Sequence, residues 1–266
     1  MDETAKIYNQ LLKFESRKKR QEPYPIHKKL YFTSKNQSLM DWLVSQIPFS
    51  NKDYILDAGC GTGFTLFYLH KLFGCRGLGI SISPDEIKYA QKACEDRNLD
   101  PYFEFKHEDY QNHHSGPYSK IITIESLKHA PDLKKSIKNL LGMLMKRGRM
   151  IIIDDFVIAE SEEFIKQKEL WNSPGFTNIE IYKEIINSSG SFEYRVIDMT
   201  SFVHSRPIWI LNLLYFILSI IKNITPRKVV RNIDTYLGGL MLEKLYANKQ
   251  VKYMALLIEK KIQKYD

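Results

Sequence analysis

The chain has 266 residues, of which 44% are hydrophobic and 26% charged, the composition of an ordinary soluble globular protein with room for one full α/β domain. A formal net charge of +8 permits nucleic acid or an anionic membrane as a partner without requiring either. The three scattered cysteines, Cys60, Cys75 and Cys94, argue against a zinc site and fit a cytoplasmic protein, and the polar N-terminus predicts no secretory leader.

Apolar periodicity predicts an alternation of strands and helices. The predicted strands are 54–56, 77–81, 102–106, 120–124, 150–154, 192–202 and 251–259. The predicted helices are 1–20, 35–47, 64–73, 84–97, 133–145, 160–170, 178–187 and 231–248. Such alternation implies parallel strands that are joined by crossover helices.

One segment interrupts this alternation. Residues 208–221 read IWILNLLYFILSII and are nearly all apolar, with Arg206, Arg227, Lys228 and Arg231 on either side. Because a bilayer span needs roughly 20 such residues, the segment is too short to be predicted as one. A buried helix, a wall of an apolar acceptor pocket and a helix on a membrane surface remain open.

A glycine-rich turn follows the first predicted strand. Gly59, Gly61 and Gly63 are free to adopt positive φ and let a ligand approach the backbone closely. Their Gly-x-Gly-x-Gly spacing differs from the Gly-x-Gly-x-x-Gly that seats a pyrophosphate. Asp57, just ahead of the turn, would repel phosphate and attract a cation. S-adenosylmethionine carries a sulfonium and an ammonium and has no phosphate, so it suits this turn better than a dinucleotide does. The alternative is a glycine turn without a ligand.

Over roughly residues 30–156 the chain resembles the class I S-adenosylmethionine-dependent methyltransferases. The second strand of that family usually ends in an acid that holds the ribose, but Ser81, Ile82 and Ser83 stand at this place. This departure resembles one subgroup, the cyclopropane-synthase, sterol, tocopherol and prenyl-diphosphate C-methyltransferases. The resemblance implies S-adenosylmethionine as cofactor, S-adenosylhomocysteine as product and no metal.

The resemblance also implies a set of cofactor-binding residues, which are Asp57, Gly59, Gly61, Gly63, Ser81, Ile82, Glu86, Asp109, Tyr110 and Glu125. Glu86 would accept from the ribose hydroxyls, as a carboxylate can. The alternative for Glu86 is a solvent-facing acid in the first turn of a helix. Asp109 and Tyr110 would edge the adenine, unless Asp109 only initiates a turn.

The fourth predicted strand ends at the reacting part of the implied site. Glu125 and His129 belong to a Glu-Ser-x-x-His stretch that is common in the subgroup. His129 is implied as a general base, and Glu125 as a base or as a partner for positive charge on the acceptor. The alternative for Glu125 is a buried carboxylate that binds the cofactor loop. Asp154 and Asp155 end the fifth predicted strand and face the acceptor or cap the next segment.

Four further residues are predicted to cover the cofactor or to contact the acceptor. His27, Tyr31 and Phe32 lie where related enzymes carry a lid stretch that contains histidine and aromatic residues. Trp209 belongs to the apolar segment and is predicted to line an apolar acceptor pocket.

The expected fold class is α/β, with a Rossmann-like sheet of seven mostly parallel strands, an N-terminal helical lid and a C-terminal helical insert. Residues 1–50 form the predicted lid, and residues 51–266 form the methyltransferase domain, with the apolar insert around 203–248. The predicted activity is methyl transfer to carbon or oxygen of a lipophilic small molecule of the isoprenoid, sterol, quinone or polyketide type. Peripheral membrane contact remains open. An RNA methyltransferase and a non-catalytic cofactor-binding protein are the alternatives; no Asn/Asp-Pro-Pro-Tyr or RNA-binding module supports the first.

Overall fold

A seven-stranded sheet organises the protein. The computed structural model describes residues 24–25, 27–32, 37–171, 173 and 177–261. Its strands are β1 Tyr54–Ala58, β2 Arg76–Ser81, β3 Phe103–His107, β4 Tyr118–Ile124, β5 Leu144–Val157, β6 Phe192–Asp198 and β7 Val251–Lys260. They are hydrogen-bonded in the order β3-β2-β1-β4-β5-β7-β6, and β7 runs opposite to the other six. The predicted seven-stranded, mostly parallel sheet is confirmed.

Helices flank the sheet on both faces. They are α1 Leu39–Gln46, α2 Phe64–Phe73, α3 Pro84–Glu95, α4 Leu133–Gly142, α5 Glu162–Trp171, α6 Ile179–Asn187, α7 Ile208–Ile224 and α8 Arg227–Ala247. Local sequence sets their starts. The Ser83 hydroxyl accepts from the amide of Glu86 and precedes a proline at the first position of α3, and the Asp132 carboxylate accepts from the amide of Lys135. The helix predicted over 1–20 and the start of the one predicted over 35–47 lie outside the described residues.

The core lies on both faces of the sheet. Ile151 and Ile153 of β5 belong to the cluster that includes side chains of α1, α2 and α3. Ile152, between them, belongs to the opposite cluster, which includes side chains of α4 and α6. This alternation is the two-residue period of a strand, and burial on both faces explains why the central strands read as continuous apolar runs.

The fifth strand is longer than the sequence pattern predicts. Hydrogen bonding to the antiparallel β7 continues to Val157, with Asp154 opposite Met254 and Asp155 opposite Tyr253. Asp154 and Asp155 therefore lie inside a buried strand and not at its end, so the prediction that they cap the next segment is wrong. The predicted strand 192–202 ends early, at Asp198, and a 3-10 turn follows.

The apolar segment is a helix, but it is not buried. Of the described side chains in α7, only Leu211 is buried, while Trp209 is 68% exposed and Phe216 is 62% exposed. The interpretation as an ordinary buried helix is therefore wrong. Among the described residues, none of the helices combines the length and the hydropathy that crossing a bilayer requires. The insert folds as a helical hairpin in which α8 packs against both α7 and α5.

Candidate active site

The glycine-rich turn joins β1 to α2 and brings the backbone of β2 close. Gly59, Gly61 and Gly63 have φ values of 98°, 51° and 79°, which lie in the left-handed region. The amide of Gly59 donates to the carbonyl of Ile80 at 2.9 Å. A Cβ on Gly59 would lie 2.5 Å from the Cβ of Ser126, so only glycine fits between β1 and the end of β4.

Asp57 is a buried carboxylate with an unpaired oxygen. It is 2% exposed, and its Oδ2 has no hydrogen-bond partner among the described residues. Burial raises the pKa of Asp57 to about 7, although a hydrogen bond from Thr65 opposes this. A buried carboxylate oxygen without a donor is costly, and an ammonium group supplies both the donor and the charge that it lacks. The residue thus fits the amino group of S-adenosylmethionine.

A second buried carboxylate, in the first turn of α3, lies beside the end of β2. Glu86 is 4% exposed, and its Oε2 accepts from the Ser81 hydroxyl at 2.7 Å. Burial raises the pKa of Glu86 to about 7, opposed by the Ser81 hydrogen bond. The alternative of a solvent-facing acid is therefore wrong. Ile82 is half-buried, and its carbonyl oxygen lies 3.0 Å from Nε2 of His107.

The Asp109–Tyr110 pair follows β3 and packs against the turn after β4. The Asp109 carboxylate accepts from the amide of Gln111 at 2.8 Å and from its side chain at 3.2 Å, which are the contacts of the turn-initiating alternative. The Tyr110 hydroxyl donates to the carbonyl of Ser126 at 3.1 Å. Contact of this pair with adenine stays a prediction.

Glu125 lies directly after β4 with a φ of 52°, an unusual conformation for a residue with a side chain. Its Oε1 accepts from the backbone amide of Lys28 at 2.8 Å and from the hydroxyl of Tyr253 at 3.0 Å. Burial raises the pKa of this carboxyl, but the positive charges of Lys28 and Lys128 outweigh that and hold its pKa below the ordinary value. Glu125 is therefore ionised at neutral pH.

A buried ion cluster surrounds Glu125. Lys128 is 3% exposed, and its Nζ lies 2.8 Å from Asp155 Oδ2, 3.4 Å from Asp154 Oδ1 and 3.5 Å from Glu125 Oε2. Lys28 Nζ lies 3.0 Å from Asp155 Oδ1. Three acids and two lysines from distant parts of the chain thus meet at the carboxyl edge of the sheet. The hydroxyl of Tyr246 in α8 donates to Asp155 as well.

Sequence reasoning missed the lysines and tyrosines of this cluster. Lys128 occupies a variable position of the Glu-Ser-x-x-His stretch, and a lysine there is indistinguishable in sequence from a solvated one. The only available signal was the pair Asp154–Asp155 in an apolar strand, since buried acids require a cation nearby. Nothing in the sequence identifies which of the many lysines supplies it.

His129 sits beside the cluster in the 3-10 turn Leu127–His129. It is half-buried, and its Nδ1 lies 3.2 Å from the hydroxyl of Ser173. Burial and the positive charge of Lys128 lower the pKa of His129 to about 3. The imidazole is therefore neutral at physiological pH and is a weak proton acceptor.

The predicted lid residues separate into two groups. The amide of Tyr31 donates to the carbonyl of Phe202 at 2.8 Å, and the ring of Phe32 lies 4.6 Å from that of Phe202, so both contact the turn that precedes the insert. His27 lies next to Lys28, with its Nδ1 3.0 Å from the carbonyl of Lys28, and it is Lys28 that contacts Glu125. Trp209 is mostly exposed to solvent.

No group of three or more His, Cys, Asp or Glu side chains suited to a metal ion occurs within the part of the chain that the structure describes. All three cysteines are free and buried.

Comparison with known proteins gives a consistent result. The chain is 32% identical over 101 residues to tocopherol O-methyltransferase of Arabidopsis thaliana, a match covering 37% of this chain and 29% of the relative. It is 26% identical over 167 residues to 2-methyl-6-phytyl-1,4-hydroquinone methyltransferase of a Synechocystis species, covering 59% and 52%. These matches thus span about a third to a half of the relatives' own lengths.

A solved structure agrees in fold over nearly the whole chain. Geranyl diphosphate C-methyltransferase from Streptomyces coelicolor superposes with a TM-score of 0.71 at 14% identity, covering 97% of this chain and 96% of that one. At this identity the likeness shows the fold alone, which is the class I S-adenosylmethionine-dependent methyltransferase fold. A family model described as a methyltransferase domain matches residues 49–193. That match covers more than half of the chain, which therefore belongs to the methyltransferase-domain family.

Proposed function

We propose that this chain binds S-adenosylmethionine and transfers its methyl group to carbon or oxygen of a lipophilic small molecule. The observation that carries the proposal is Asp57, a buried carboxylate directly ahead of the glycine turn, one oxygen of which has no partner in the part of the chain that the structure describes. When bound, S-adenosylmethionine supplies a methyl group on a sulfonium, which is a good leaving group without help from the protein. The protein has to bind, orient and exclude water.

In this proposal different acids at the carboxyl edge of the sheet bind different parts of the cofactor. Asp57 binds the amino group of the methionine part, and the three glycines let that part approach the backbone. Glu86, held by Ser81 beside Ile82, accepts from the ribose hydroxyls. Asp109 and Tyr110 lie at the edge of the adenine. To accept from the adenine amino group, Asp109 gives up one of its two hydrogen bonds with Gln111.

Glu125 and His129 serve the acceptor. Because Glu125 is ionised and held on two sides by donors, it suits electrostatic stabilisation of positive charge that develops on the acceptor. His129 is neutral and suits the role of a hydrogen-bond partner or acceptor of a proton that the product must lose. Neither residue is a strong base, which favours acceptors that react as electron-rich alkenes or as already acidic hydroxyls.

The N-terminal segment is proposed to be the lid. The Thr62 hydroxyl in the glycine turn donates to the carbonyl of Tyr24 at 2.7 Å, and the amide of Lys28 donates to Glu125. Through Tyr24 and Lys28 this segment therefore contacts both the turn and the reaction end of the site. Leu30 then pairs with Val203, which connects the lid to the insert that begins there.

A lipophilic acceptor is supported by two kinds of observation. The curated relatives are named for tocopherol and for 2-methyl-6-phytyl-1,4-hydroquinone, and the solved structure is named for geranyl diphosphate. Independently, the insert beside the site is rich in apolar side chains. We propose an acceptor of the isoprenoid, sterol, quinone or polyketide type. Peripheral contact with a membrane, where such molecules reside, is part of this proposal.

The test is a transfer assay with methyl-labelled S-adenosylmethionine against a lipid extract, total RNA and a pool of polar metabolites. We expect label in the lipid fraction, and much less label from the Asp57→Asn chain when S-adenosylmethionine is below saturation. Label that appears only in RNA would replace the proposal with the nucleic-acid alternative. Tight cofactor binding without any transfer would support the non-catalytic alternative.

A further inference from the structure

Helix α7 presents an apolar face to solvent. Its large apolar side chains that are at least 40% exposed are Ile208, Trp209, Leu213, Phe216, Ile217, Ile220, Ile221 and Ile224. Within this set, positions 209, 213, 216, 220 and 224 are spaced by three or four residues and form one stripe, which we call the apolar face of α7. A contiguous apolar patch of this length is rare on the surface of a monomeric protein and marks an interaction site.

The charge around this face is of one sign. No aspartate or glutamate stands between Asp198 and Asp234, the stretch that contains all of α7. The same stretch carries the basic residues Arg206, Lys222, Arg227, Lys228 and Arg231. Arg206 and Lys222 form ion pairs with Glu243 and Asp234 of α8, so these charges cancel in pairs, and Arg227, Lys228 and Arg231 make up the surplus of positive charge in this stretch.

An anionic lipid surface complements this combination better than a protein does. A helix with a Trp- and Phe-bearing apolar side and basic flanks lies in the interface plane of a bilayer, where the rings reach the acyl boundary and the cations meet phosphate. A second copy of the chain would bring an identical basic, carboxylate-free stretch against this one, which is unfavourable at a net charge of +8.

We propose that the apolar face of α7 docks this protein on the surface of a bilayer that contains anionic phospholipid, with α7 parallel to the membrane plane. The proposal deepens the proposed function, and it rests on that function only for the idea that the acceptor is lipophilic. Docking places the insert, and the lid that pairs with it through Val203, at the bilayer from which such an acceptor would be drawn.

The first experiment is co-sedimentation of the full chain with vesicles of phosphatidylcholine alone or of phosphatidylcholine with phosphatidylglycerol. We expect strong binding to the anionic vesicles only, weakening as NaCl rises from about 0.05 to about 0.5 M. Leu213→Glu and Phe216→Glu should each lower the partition coefficient by about tenfold or more, because each places a carboxylate on the docking side.

Leu72→Glu is the matched control. Leu72 is 51% exposed in α2, so the same class of substitution is made at an equally exposed apolar position outside α7. Its vesicle binding should equal that of the unaltered chain, apart from the small effect of one added negative charge. Equal loss in Leu72→Glu and Phe216→Glu would overturn the proposal, as would a parent chain that stays in the supernatant with every lipid.

The second experiment uses intrinsic fluorescence. The chain has three tryptophans, and Trp209 is the exposed one, whereas Trp42 is 7% exposed and Trp171 is partly buried. Anionic vesicles should shift the emission to shorter wavelength, and spin-labelled lipids should quench it. Trp209→Phe should abolish the shift while most co-sedimentation remains. A shift that persists in Trp209→Phe would contradict docking through α7.

Two measurements separate this proposal from its alternatives. Sedimentation velocity without lipid tests a second copy as the occupant: a stable dimer that Phe216→Glu converts to monomer, together with no vesicle binding, would overturn membrane docking. Calorimetry with S-adenosylhomocysteine in the absence of vesicles tests the cofactor site alone. We expect Phe216→Glu to leave that affinity unchanged, so failure of docking and failure of cofactor binding give different results.

Discussion

Asp57 is the side chain whose surroundings say most about the ligand. A buried carboxylate is ordinarily paired, but within residues 24–261 as described this one has a hydroxyl partner, no cation and one oxygen without a donor. Because its pKa is raised from 3.8 to about 7, the ligand-free protein keeps it partly protonated near neutrality. A cationic ligand group would restore the charged form, so cofactor binding and ionisation of Asp57 are coupled.

Asp57→Asn is predicted to separate binding from stability. Removing the buried charge should stabilise the ligand-free chain at pH 8 by about 1–3 kcal/mol, since a carboxyl with a raised pKa lowers stability as pH rises from its ordinary pKa to the raised one, and pH 8 lies above both. The same change should weaken S-adenosylhomocysteine binding by about tenfold or more. Thermal unfolding with and without ligand measures both effects. A variant that loses stability yet binds normally would contradict the assignment.

Lys128 has the opposite environment, with three carboxylates around one buried ammonium. Removing one partner from such a cluster leaves uncompensated charge, so Lys128→Met should destabilise the fold by about 3–5 kcal/mol. Lys138→Met, at an exposed position of α4, is the control and should change stability by less than about 0.5 kcal/mol. Denaturant unfolding compares them.

A second readout distinguishes an electrostatic role of Lys128 from simple packing. The positive charge of Lys128 contributes to the lowered pKa of His129. The pKa of His129 should therefore rise in Lys128→Met, as followed by NMR of the imidazole, and should return towards the original value in Lys128→Arg. An unchanged titration in Lys128→Met would show that burial alone sets it.

At the scale of elements, the glycine turn depends on close approach between β1 and the end of β4. Gly59→Ala should destabilise the fold by about 2 kcal/mol or more, because it forces a side chain into positive φ and onto Ser126. Gly142→Ala is the control: an added Cβ there meets nothing within 4 Å, and alanine in a helix should stabilise by about 0.5–1 kcal/mol. Opposite signs in chemical denaturation are expected. Equal effects would contradict the close approach.

The lid is held by Lys28 at two points, its amide on Glu125 and its Nζ on Asp155. Lys28→Met removes the second of these and should make the residue-28 amide exchange with solvent about tenfold faster. Lys29→Met, at the exposed neighbouring position, should leave that exchange rate unchanged. Hydrogen exchange followed by NMR measures the rate at the residue-28 amide in both variants. Equal protection in both variants would mean that the lid does not depend on the ion pair.

At the scale of the whole molecule, the sheet edge collects carboxyls whose pKa values are raised. Those of Asp57 and Glu86 rise to about 7 and that of Asp154 to about 6, in each case first through burial. Each binds more protons in the folded than in the unfolded chain between its two pKa values, so each lowers stability as pH rises through that window. His129 has the opposite effect on stability. Because its pKa is lowered in the folded chain, the unfolded chain binds the proton more readily, and its contribution to stability rises with pH.

The three carboxyls with raised pKa values together outweigh the one histidine with a lowered pKa. The ligand-free chain should therefore lose stability as pH rises from 5 to 7. Saturating S-adenosylhomocysteine should reduce this loss, because it pairs two of the three acids in the proposed site. Melting temperatures measured across that range with and without ligand test the sign. A stability that rises steadily with pH in the ligand-free chain would contradict it.

Patterns of local origin were predictable. The helix 64–73 matches α2 at both ends, and the seven predicted strands all occur, because apolar period and glycine or proline boundaries are recorded in consecutive residues. The predicted end of the fifth strand, at Asp154 and Asp155, was wrong. Polar residues ordinarily indicate the boundary of a buried strand. Here the strand continues because β7 pairs with it and buried lysines neutralise the two acids, and all of these partners lie elsewhere in the sequence.

The sequence by itself determined the strand–turn–helix that bears Asp57 and the glycines, and with it the family, because the apolar run, the acid and the glycine spacing are recorded in consecutive residues. Only the tertiary structure decided which acids are buried, which lysines neutralise them, and that the apolar helix α7 faces solvent. Burial depends on what packs against an element, and Lys28, Lys128 and Tyr246 reach one cluster from positions far apart in the chain. Spacing along the sequence carries no record of that meeting.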